Sequence, residues 1–312
     1  MSVEATRMGG LPGGLSARSV AAMLLLAVMW GLSIPVTKLG LETMPPLTLT
    51  ALRFVVAVPL LFLLVVGRQR LPWRAFPSVA ALGILGISVG QVAQSFGVQG
   101  TSASAGTIIS ATIPVFVVIF AAFRLKQAVT ARQQVGLVAA FAGIALVAIG
   151  NGPEGAQAAS TSLSGAVWLL LSAVAVAFYY VWSVELTDEF GTTTVAAWST
   201  LVGFLAMLPF AAWEASHTPF HVTAQALWAG AYLGVAVTVA GLFLWLHLLR
   251  TVPARVAASV QYLQPVVGIL AASLMFGDRL GLFFALGVLL ILGGLGLAVA
   301  TRQAPEMAVP HE

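Results

Sequence analysis

Hydrophobic runs of about 20 residues recur along almost the whole chain, and they constrain its fold more than any other feature. A run of roughly this length with few charges can span the apolar core of a bilayer as one helix. Only 8% of the residues are charged, whereas soluble domains carry roughly 25%. The bilayer must therefore be the main solvent for this chain. About ten runs are present, at about 19–39, 46–67, 75–97, 102–124, 132–150, 163–185, 194–213, 223–249, 254–276 and 280–301.

Basic residues gather on one side of the predicted membrane. If the N-terminus is cytoplasmic, the outer loops hold only Lys38 and Arg279, and Arg53 lies inside the second run. An excess of Lys and Arg in cytoplasmic loops is the bias that sets membrane orientation. Both termini are therefore predicted to be cytoplasmic, which requires an even number of helices. The cytoplasmic basic residues are Arg7, Arg18, Arg68, Arg70, Arg74, Arg124, Lys126, Arg132, Arg250, Arg255 and Arg302.

The same distribution argues against several other classes of protein. A net charge of +4 could suggest nucleic-acid binding, but the basic residues sit at the ends of runs and form no continuous patch. The chain contains no cysteine, so disulfides and thiolate metal sites are excluded. Four histidines and no carboxylate deep in a run offer no catalytic or metal-ligand constellation. We therefore predict neither an enzyme, nor a cofactor, nor a metal.

The chain repeats itself weakly at an offset of 151 positions, at glycines and prolines of three helices. Each half then holds five helices, and because five is odd, the second half enters the membrane from the opposite side. Inverted repeats of this kind are the plan of many secondary transporters, with the substrate site near midplane between the halves. The matching pairs are Gly83 with Gly234, Pro114 with Pro265, Gly136 with Gly287, and Gly143 with Gly294.

This repeat divides the chain into two five-helix units joined by a linker outside the membrane. The predicted fold is an all-α membrane protein of ten transmembrane helices in two inverted five-helix repeats. The predicted parts are a cytoplasmic segment 1–18, a first repeat 19–150, an external linker 151–162, a second repeat 163–301 and a cytoplasmic tail 302–312.

Two prolines lie near the middle of the fourth and ninth runs, at matching positions of the repeat. Proline removes one helical hydrogen bond, so Pro114 and Pro265 are predicted to free the carbonyls of Ser110 and Gln261. In lipid an unpaired carbonyl is costly, so it should face protein, water or substrate. A tolerated kink is the alternative, but the pairing of the two prolines favours a functional break in both helices.

Polar and aromatic residues inside the runs suggest a substrate pathway. They fall in the outer half of the third and fourth runs and in the inner half of the ninth, so the two zones meet at the prolines. Hydrogen bonding between helices is the alternative for any one of them. Trp30 lies at a depth that is wrong for an interfacial anchor. The predicted substrate-binding residues are Trp30, Gln91, Gln94, Thr107, Ser110, Pro114, Tyr179, Ser259, Gln261, Tyr262 and Pro265.

Two basic residues are candidates for gating or charge steering. Arg53 is the one clearly intramembrane charge of the sequence, and such a charge is a functional-site hypothesis by default. A structural link to a neighbouring helix is the alternative for Arg53. Lys38 could attract a carboxylate at the outer mouth or simply reach the interface. Because no Asp or Glu lies deep in a run, facilitated transport is favoured over proton antiport.

Five short stretches resemble the EamA-type carriers of the drug/metabolite transporter superfamily. They are Trp30–Lys38, Pro46–Phe54, Ala257–Pro265, Phe276–Asp278 and Gly287. The resemblance covers about 20 to 301 and implies ten helices, inverted repeats, the bacterial inner membrane and export of amino acids or related metabolites. Within the family the chain resembles the aromatic amino acid exporters.

The chain is therefore predicted to be a secondary transporter that exports amino acids or similar small metabolites by alternating access with broad specificity. The resemblance is imperfect at Arg124–Lys126, where the family often has a Gly-Glu pair. Efflux of drugs or lipophilic cations is the main alternative, although small multidrug pumps use a glutamate in the first helix and this chain has none there. A membrane enzyme and a non-transporting receptor are more distant alternatives. The only partners predicted are the small-molecule substrate and membrane lipid.

Overall fold

The computed structural model describes residues 16–67, 71–124, 130–149, 161–252, 260–278 and 281–299. These residues form helices and contain no strand, which confirms the all-α prediction. A short helix, Val184–Phe190, follows the helix Leu163–Trp182. The apolar helices are α1 (Ala17–Gly40), α2 (Pro46–Leu63), α3 (Trp73–Gln99), α4 (Ala103–Arg124), α5 (Ala131–Ile149), α6 (Leu163–Trp182), α7 (Thr192–His217), α8 (Ala224–Leu248), α9 (Val260–Phe276) and α10 (Leu282–Val299).

Length and composition allow many of these helices to cross a membrane. Within the described residues, seven helices, α1 to α4 and α6 to α8, are long and apolar enough to do so. The apolar stretches of α5, α9 and α10 are shorter. Each predicted hydrophobic run overlaps one of these apolar helices, because a run of apolar residues long enough to span lipid satisfies its backbone as a helix.

Irregular helical turns recur in the two halves at the predicted offset. Helix α1 is interrupted at Leu32, and the chain turns again at Ser183 between α6 and the short helix, so the two breaks differ by 151 in number. Helices α3 and α8 each contain a π-helical stretch, at Leu82–Ser88 and Leu233–Ala240, again 151 apart at their first residues. Such stretches are rare in helices and are common at functional sites. The internal repeat is therefore present in the backbone.

Helices α5 and α10 pack through the glycines that revealed the repeat. A Cβ atom built on Gly143 would lie 2.7 Å from the Gly287 carbonyl oxygen, and one on Gly294 would lie 2.5 Å from the Gly136 carbonyl oxygen. The lower-numbered glycine of α5 thus meets the higher-numbered glycine of α10, so the two helices run antiparallel. Each contact maps onto the other when the repeats are exchanged, which is the pattern of a two-fold related pair.

The two halves also interlock through helices α3 and α8. A Cβ atom built on Gly83 of α3 would lie 2.4 Å from the Ser199 carbonyl oxygen of α7. In the same way, a Cβ atom on Gly234 of α8 would lie 2.7 Å from the Arg53 carbonyl oxygen of α2. Small residues let helix backbones approach this closely in membranes. Each π-helical stretch therefore packs against the second helix of the opposite half.

Lys38 closes the C-terminal end of helix α3. Its ammonium Nζ donates hydrogen bonds to three backbone carbonyls, and all three are at most 3.1 Å away. The last carbonyls of a helix lack helical partners and carry partial negative charge, so a cation there is stabilising. The structure thus gives Lys38 a capping position, at what we call the Lys38 end of the bundle. Its acceptors are the carbonyls of Val98, Gln99 and Thr101.

Two buried carboxylates cap helix N-termini at the Lys38 end. Asp278 accepts a hydrogen bond from the backbone N–H of Ser104 in α4, over 2.8 Å. Glu214, near the end of α7, accepts from the backbone N–H of Thr48 in α2 over 2.8 Å and from its hydroxyl over 2.9 Å. Each carboxylate meets the positive end of a helix dipole. These caps tie α2 and α4 of the first half to α7 and the α9–α10 turn of the second.

The opposite end of the bundle is joined by ion pairs that water can reach. We call it the Arg74 end. Arg74 pairs with Glu189 over 2.6 Å, and both side chains are more than half exposed. Arg124 pairs with the exposed Glu185 over 2.9 Å. Exposed pairs contribute only about 0–1 kcal/mol each, so the Arg74 end is held more weakly than the Lys38 end.

Replacing Gly294 with alanine should destabilise the α5–α10 contact. The new methyl group would lie 2.5 Å from a backbone oxygen that has no side-chain freedom to move, and such overpacking costs about 1–3 kcal/mol. Gly293→Ala is the matched control, because nothing lies within 4 Å of its Cβ position. Thermal unfolding in detergent should show a lower midpoint for Gly294→Ala alone. Equal midpoints for the two variants would contradict the packing described here.

Replacing Lys38 with methionine should lower the stability of the protein by roughly 2 kcal/mol, because the end of α3 loses its charged hydrogen-bond donor. Lys38→Arg keeps a cation with several donors and should retain most of that stability. The midpoint of thermal unfolding in detergent measures both changes. If Lys38→Met unfolds at the wild-type temperature, the side chain does not act as the cap of α3.

Candidate functional site

Arg53 lies inside the bundle and joins three helices. Its Nε donates to the hydroxyl of Thr238 in α8 over 2.9 Å, and its Nη1 donates to the amide oxygen of Gln91 in α3. Its guanidinium carbon lies 5.8 Å from the centre of the Phe54 ring. The side chain is half-buried. Arg53 therefore holds the second helix of one half against helices of both halves.

Thr238 is available to Arg53 because its helix is locally widened. Its hydroxyl donates to the carbonyl of Leu233, five residues earlier, over 2.8 Å. The five-residue spacing reflects the π-helical stretch of α8, in which a backbone carbonyl pairs with a residue five positions later instead of four. The hydroxyl oxygen is then free to accept from Arg53. The π-helical stretch thus supplies a polar contact in a segment whose other residues are apolar or glycine.

Trp30 borders the same stretch of α8 from helix α1. Its Nε1 donates to the carbonyl of Val237 over 3.1 Å, and its ring lies 5.9 Å from the ring of Trp245. The indole Nε1 also lies 2.4 Å from the position that a Cβ atom on Gly241 would occupy, so a side chain on Gly241 would clash with the ring. Trp30 is half-buried, two residues before the break at Leu32. We use the name Arg53 cluster for Trp30, Arg53, Gln91 and Thr238.

The predicted break in the fourth helix is present. Residues Ala111 and Thr112 interrupt α4, and Pro114 stands in the first turn of the segment that follows. The hydroxyl of Thr112 donates to the Ile109 carbonyl over 2.6 Å, which caps the first segment. Among the described residues, no backbone N–H donates to the Ser110 carbonyl, because Pro114 has none.

The matching break in the ninth helix is absent, so that part of the prediction is wrong. Helix α9 runs from Val260 through Pro265 without interruption. Pro265 is buried, and close packing surrounds it: a Cβ atom on Gly31 of α1 would lie 2.9 Å from the Gln264 carbonyl oxygen. Neighbouring helices can keep a proline within a membrane helix in this way. The two halves therefore differ at this pair of prolines.

The other predicted residues are spread around the cluster. Thr107 is buried and donates to the Ala103 carbonyl in its own helix over 2.8 Å. Tyr179 contacts the Ser199 hydroxyl over 3.2 Å, and Gln261 accepts from the side chain of Gln264 over 3.2 Å. Four further residues complete the predicted set: Gln94 and Ser110 are half-buried, Ser259 lies outside the described residues, and the side chain of Tyr262 does too.

The structure thus brings together some of the predicted residues and leaves others apart. Arg53 and Gln91 are in direct contact, and Trp30 bonds Val237 beside Thr238. Lys38 instead caps a helix at one end of the bundle, and Tyr179 contacts α7. Thr238 was missed, because a lone threonine in an apolar run is usually a local hydrogen-bonding residue. The repeat pairs Thr238 with Ile87 of the other π-helical stretch. Because Ile87 is apolar, the repeat gives no indication that Thr238 belongs to the site.

Comparison with known proteins identifies relatives along the whole bundle. The family model described as the EamA-like transporter family matches twice, over residues 17–149 and 163–300. An uncharacterized transporter of Archaeoglobus fulgidus is 25% identical over 278 residues, which cover 89% of this chain and 97% of that protein. The uncharacterized inner membrane transporter YedA of Escherichia coli K12 is 27% identical over 277 residues, which cover 86% of this chain and 87% of YedA.

A crystal structure of another protein shares the fold. It aligns with a TM-score of 0.61 over 91% of this chain and 97% of its own, at 20% identity, so the likeness concerns the fold alone. The family match covers both halves of the chain and leaves only the termini and the linker outside. The protein is a multi-span membrane transporter rather than an enzyme, and it belongs to the EamA-like transporter family.

Proposed function

We propose that the protein exports amino acids or related small metabolites across the bacterial inner membrane by alternating access. The observation that carries this proposal is the Arg53 cluster, in which polar groups from α1, α2, α3 and α8 meet inside the bundle. Charged residues within membrane helices are rare, and those that occur usually face the bundle interior and mark substrate or ion pathways. The cluster draws on both halves, which is where inverted-repeat carriers place their substrate.

The proposed topology is ten transmembrane helices in two inverted repeats, with both termini in the cytoplasm. The antiparallel exchange of glycines between α5 and α10 supports the inversion. The charge bias of the loops supports the orientation, so the Lys38 end faces outward and the Arg74 end faces the cytoplasm. The proposed parts are 1–18, 19–150, 151–162, 163–301 and 302–312.

Alternating access would then act on the two unequal ends of the bundle. The outer end is closed by the buried caps of Asp278 and Glu214 and by Lys38. The cytoplasmic end has water-exposed ion pairs, which are weaker. This arrangement favours loading from the cytoplasm. Rocking of one repeat against the other must break the outer caps before substrate can leave.

Facilitated transport is the proposed mode. The described carboxylates lie at helix ends or in the short helix after α6, and no Asp or Glu lies deep in an apolar run of the sequence. Proton-coupled carriers use a titratable group deep within the membrane, whereas the buried Asp278 and Glu214 lie at helix ends. The alternative of lipophilic-cation efflux is disfavoured by the guanidinium of Arg53, because a fixed positive charge inside the bundle repels a cationic substrate.

Reconstitution in liposomes tests the proposal directly. Vesicles loaded with radiolabelled amino acids should release them faster with the protein than without it, and a proton gradient should leave the initial rate unchanged. Protein-free vesicles and a heat-inactivated sample serve as controls. No release for any amino acid tested would refute the proposed export, and acceleration by a proton gradient would refute the facilitated mode.

Pro114→Ala should reduce flux about five- to tenfold. Alanine restores an N–H that can bond the Ser110 carbonyl and close the gap in α4, and the expected change corresponds to one hydrogen bond. Pro265→Ala is the matched comparison: it also restores an N–H, but the helix around Pro265 has no gap to close and the residue is buried, so flux should change less than about twofold. The thermal midpoint of both variants should be recorded to verify folding. Equal fluxes for the two variants would show that the break in α4 has no part in transport.

A further inference from the structure

The charge of Arg53 has no acidic partner among the described residues. Its two hydrogen-bond acceptors, the Thr238 hydroxyl and the Gln91 amide oxygen, are both neutral. The ring of Phe54 adds only a weak attraction at 5.8 Å. A charge taken out of water without a counter-charge is strongly unfavourable. A guanidinium with only neutral partners therefore indicates a role other than stabilising the fold.

The described carboxylates lie away from Arg53. Glu214 and Asp278 accept from backbone N–H groups at the Lys38 end, and Glu42 accepts from Gln225 over 2.7 Å. The three acids of the short helix Val184–Phe190 lie at the Arg74 end, where two of them pair with arginines. The remaining four precede the first run, follow the last run or lie in the linker: Glu4, Glu154, Glu306 and Glu312.

The guanidinium is fixed in place but still has hydrogen-bond donors to spare. Arginine carries five N–H donors in a planar fork, and the contacts with Thr238 and Gln91 use two of them. Because those contacts come from helices on two sides, the plane of the fork is set before any ligand arrives. Gln91 accepts through its oxygen, so its amide N–H groups also remain for another acceptor.

The exposed part of Arg53 faces the interior of the bundle. Helix α2 turns about 100° per residue, so Val55, which is 52% exposed, lies roughly on the opposite side of the helix from Arg53. Pro59, one turn further along, shares that exposed side. The lipid-facing side of α2 is therefore apolar, and the half-buried guanidinium points to the space shared with α3 and α8.

We propose that Arg53 binds the carboxylate of the transported substrate, so that the carrier selects carboxylated metabolites and rejects their amides and other cations. The substrate supplies the missing negative charge, and the planar fork matches the two oxygens of a carboxylate. Thr238 and Gln91 are positioning residues that orient the fork. This assignment rests on the proposed transport function, whose substrate class it narrows.

Binding to the purified, full-length protein in detergent tests the assignment. The probes are L-phenylalanine, L-leucine and L-threonine, each paired with its primary amide, and the readout is ligand-induced thermal stabilisation fitted to a dissociation constant. Loss of a charged hydrogen-bonded pair corresponds to about 10- to 100-fold in affinity. The wild type should therefore bind at least one acid about tenfold or more tightly than its amide.

Variants assign that preference to one residue. Arg53→Gln should weaken binding of the acid by about 10- to 100-fold and leave binding of the amide unchanged, and Arg53→Lys should fall between, because lysine keeps the charge but not the fork. Arg74→Gln is the matched control: it removes the same charge at an exposed surface pair and should bind as the wild type does. If Arg53→Gln does not fold, Thr238→Val keeps the charge and should weaken acid binding alone, about threefold to tenfold.

Each result decides the assignment. It is overturned if no acid of the panel binds, if the wild type binds an amide as tightly as the acid, or if the preference survives in Arg53→Gln. Where Arg53→Gln does not fold, it is overturned if Thr238→Val binds the acid as tightly as the wild type does. Flux in liposomes separates it from the proposed function. Acid-selective binding without flux upholds the carboxylate site and refutes transport, whereas equal flux of acid and amide upholds transport and refutes the carboxylate site.

Discussion

A positive charge with no counter-charge in the described part of the chain, held among apolar helices, is the constraint on which this structure depends. Lipid cannot solvate the guanidinium of Arg53, so the side chain must turn into the bundle and find acceptors there. It does so on α3 and α8, one helix from each half. The need to satisfy one side chain therefore fixes the mutual position of α2, α3 and α8, and Trp30 brings α1 to the same place.

Backbone packing makes this arrangement possible. The π-helical stretches of α3 and α8 each place a glycine against a backbone of the opposite half. Where Gly83 meets α7, the residue at the contact is the uncharged Ser199; where Gly234 meets α2, the residue at the contact is Arg53. The same packing geometry thus carries a charge in one half only. The interruption of α4 before Pro114, with no counterpart in α9 at Pro265, is a second difference of this kind. The repeat determines how the helices pack, and the positions at which the two halves differ include the charged residue Arg53 and the break before Pro114.

The two ends of the bundle differ in how their charges are paired. At the Lys38 end, ionised groups meet helix termini and are partly or fully buried. At the Arg74 end, arginines meet carboxylates in water. A buried group on a helix terminus loses its only partner when the helix moves, whereas an exposed pair exchanges its partner for water. This difference makes the two ends unequally costly to open.

The sequence by itself determined the solvent, the helices and the repeat. Apolar runs of spanning length satisfy their backbone in lipid as helices, and glycines and prolines at a constant offset predicted the second copy of the fold. It also singled out Arg53, Trp30, Gln91 and the break before Pro114. Only the tertiary structure decided that α9 continues through Pro265, that Lys38 caps α3, and that Thr238 anchors Arg53. These depend on which helix lies beside which, and on a π-helical turn that no residue pattern announces. Hydrophobicity is a property of each segment alone, whereas a hydrogen bond between distant residues exists only once both segments have been packed.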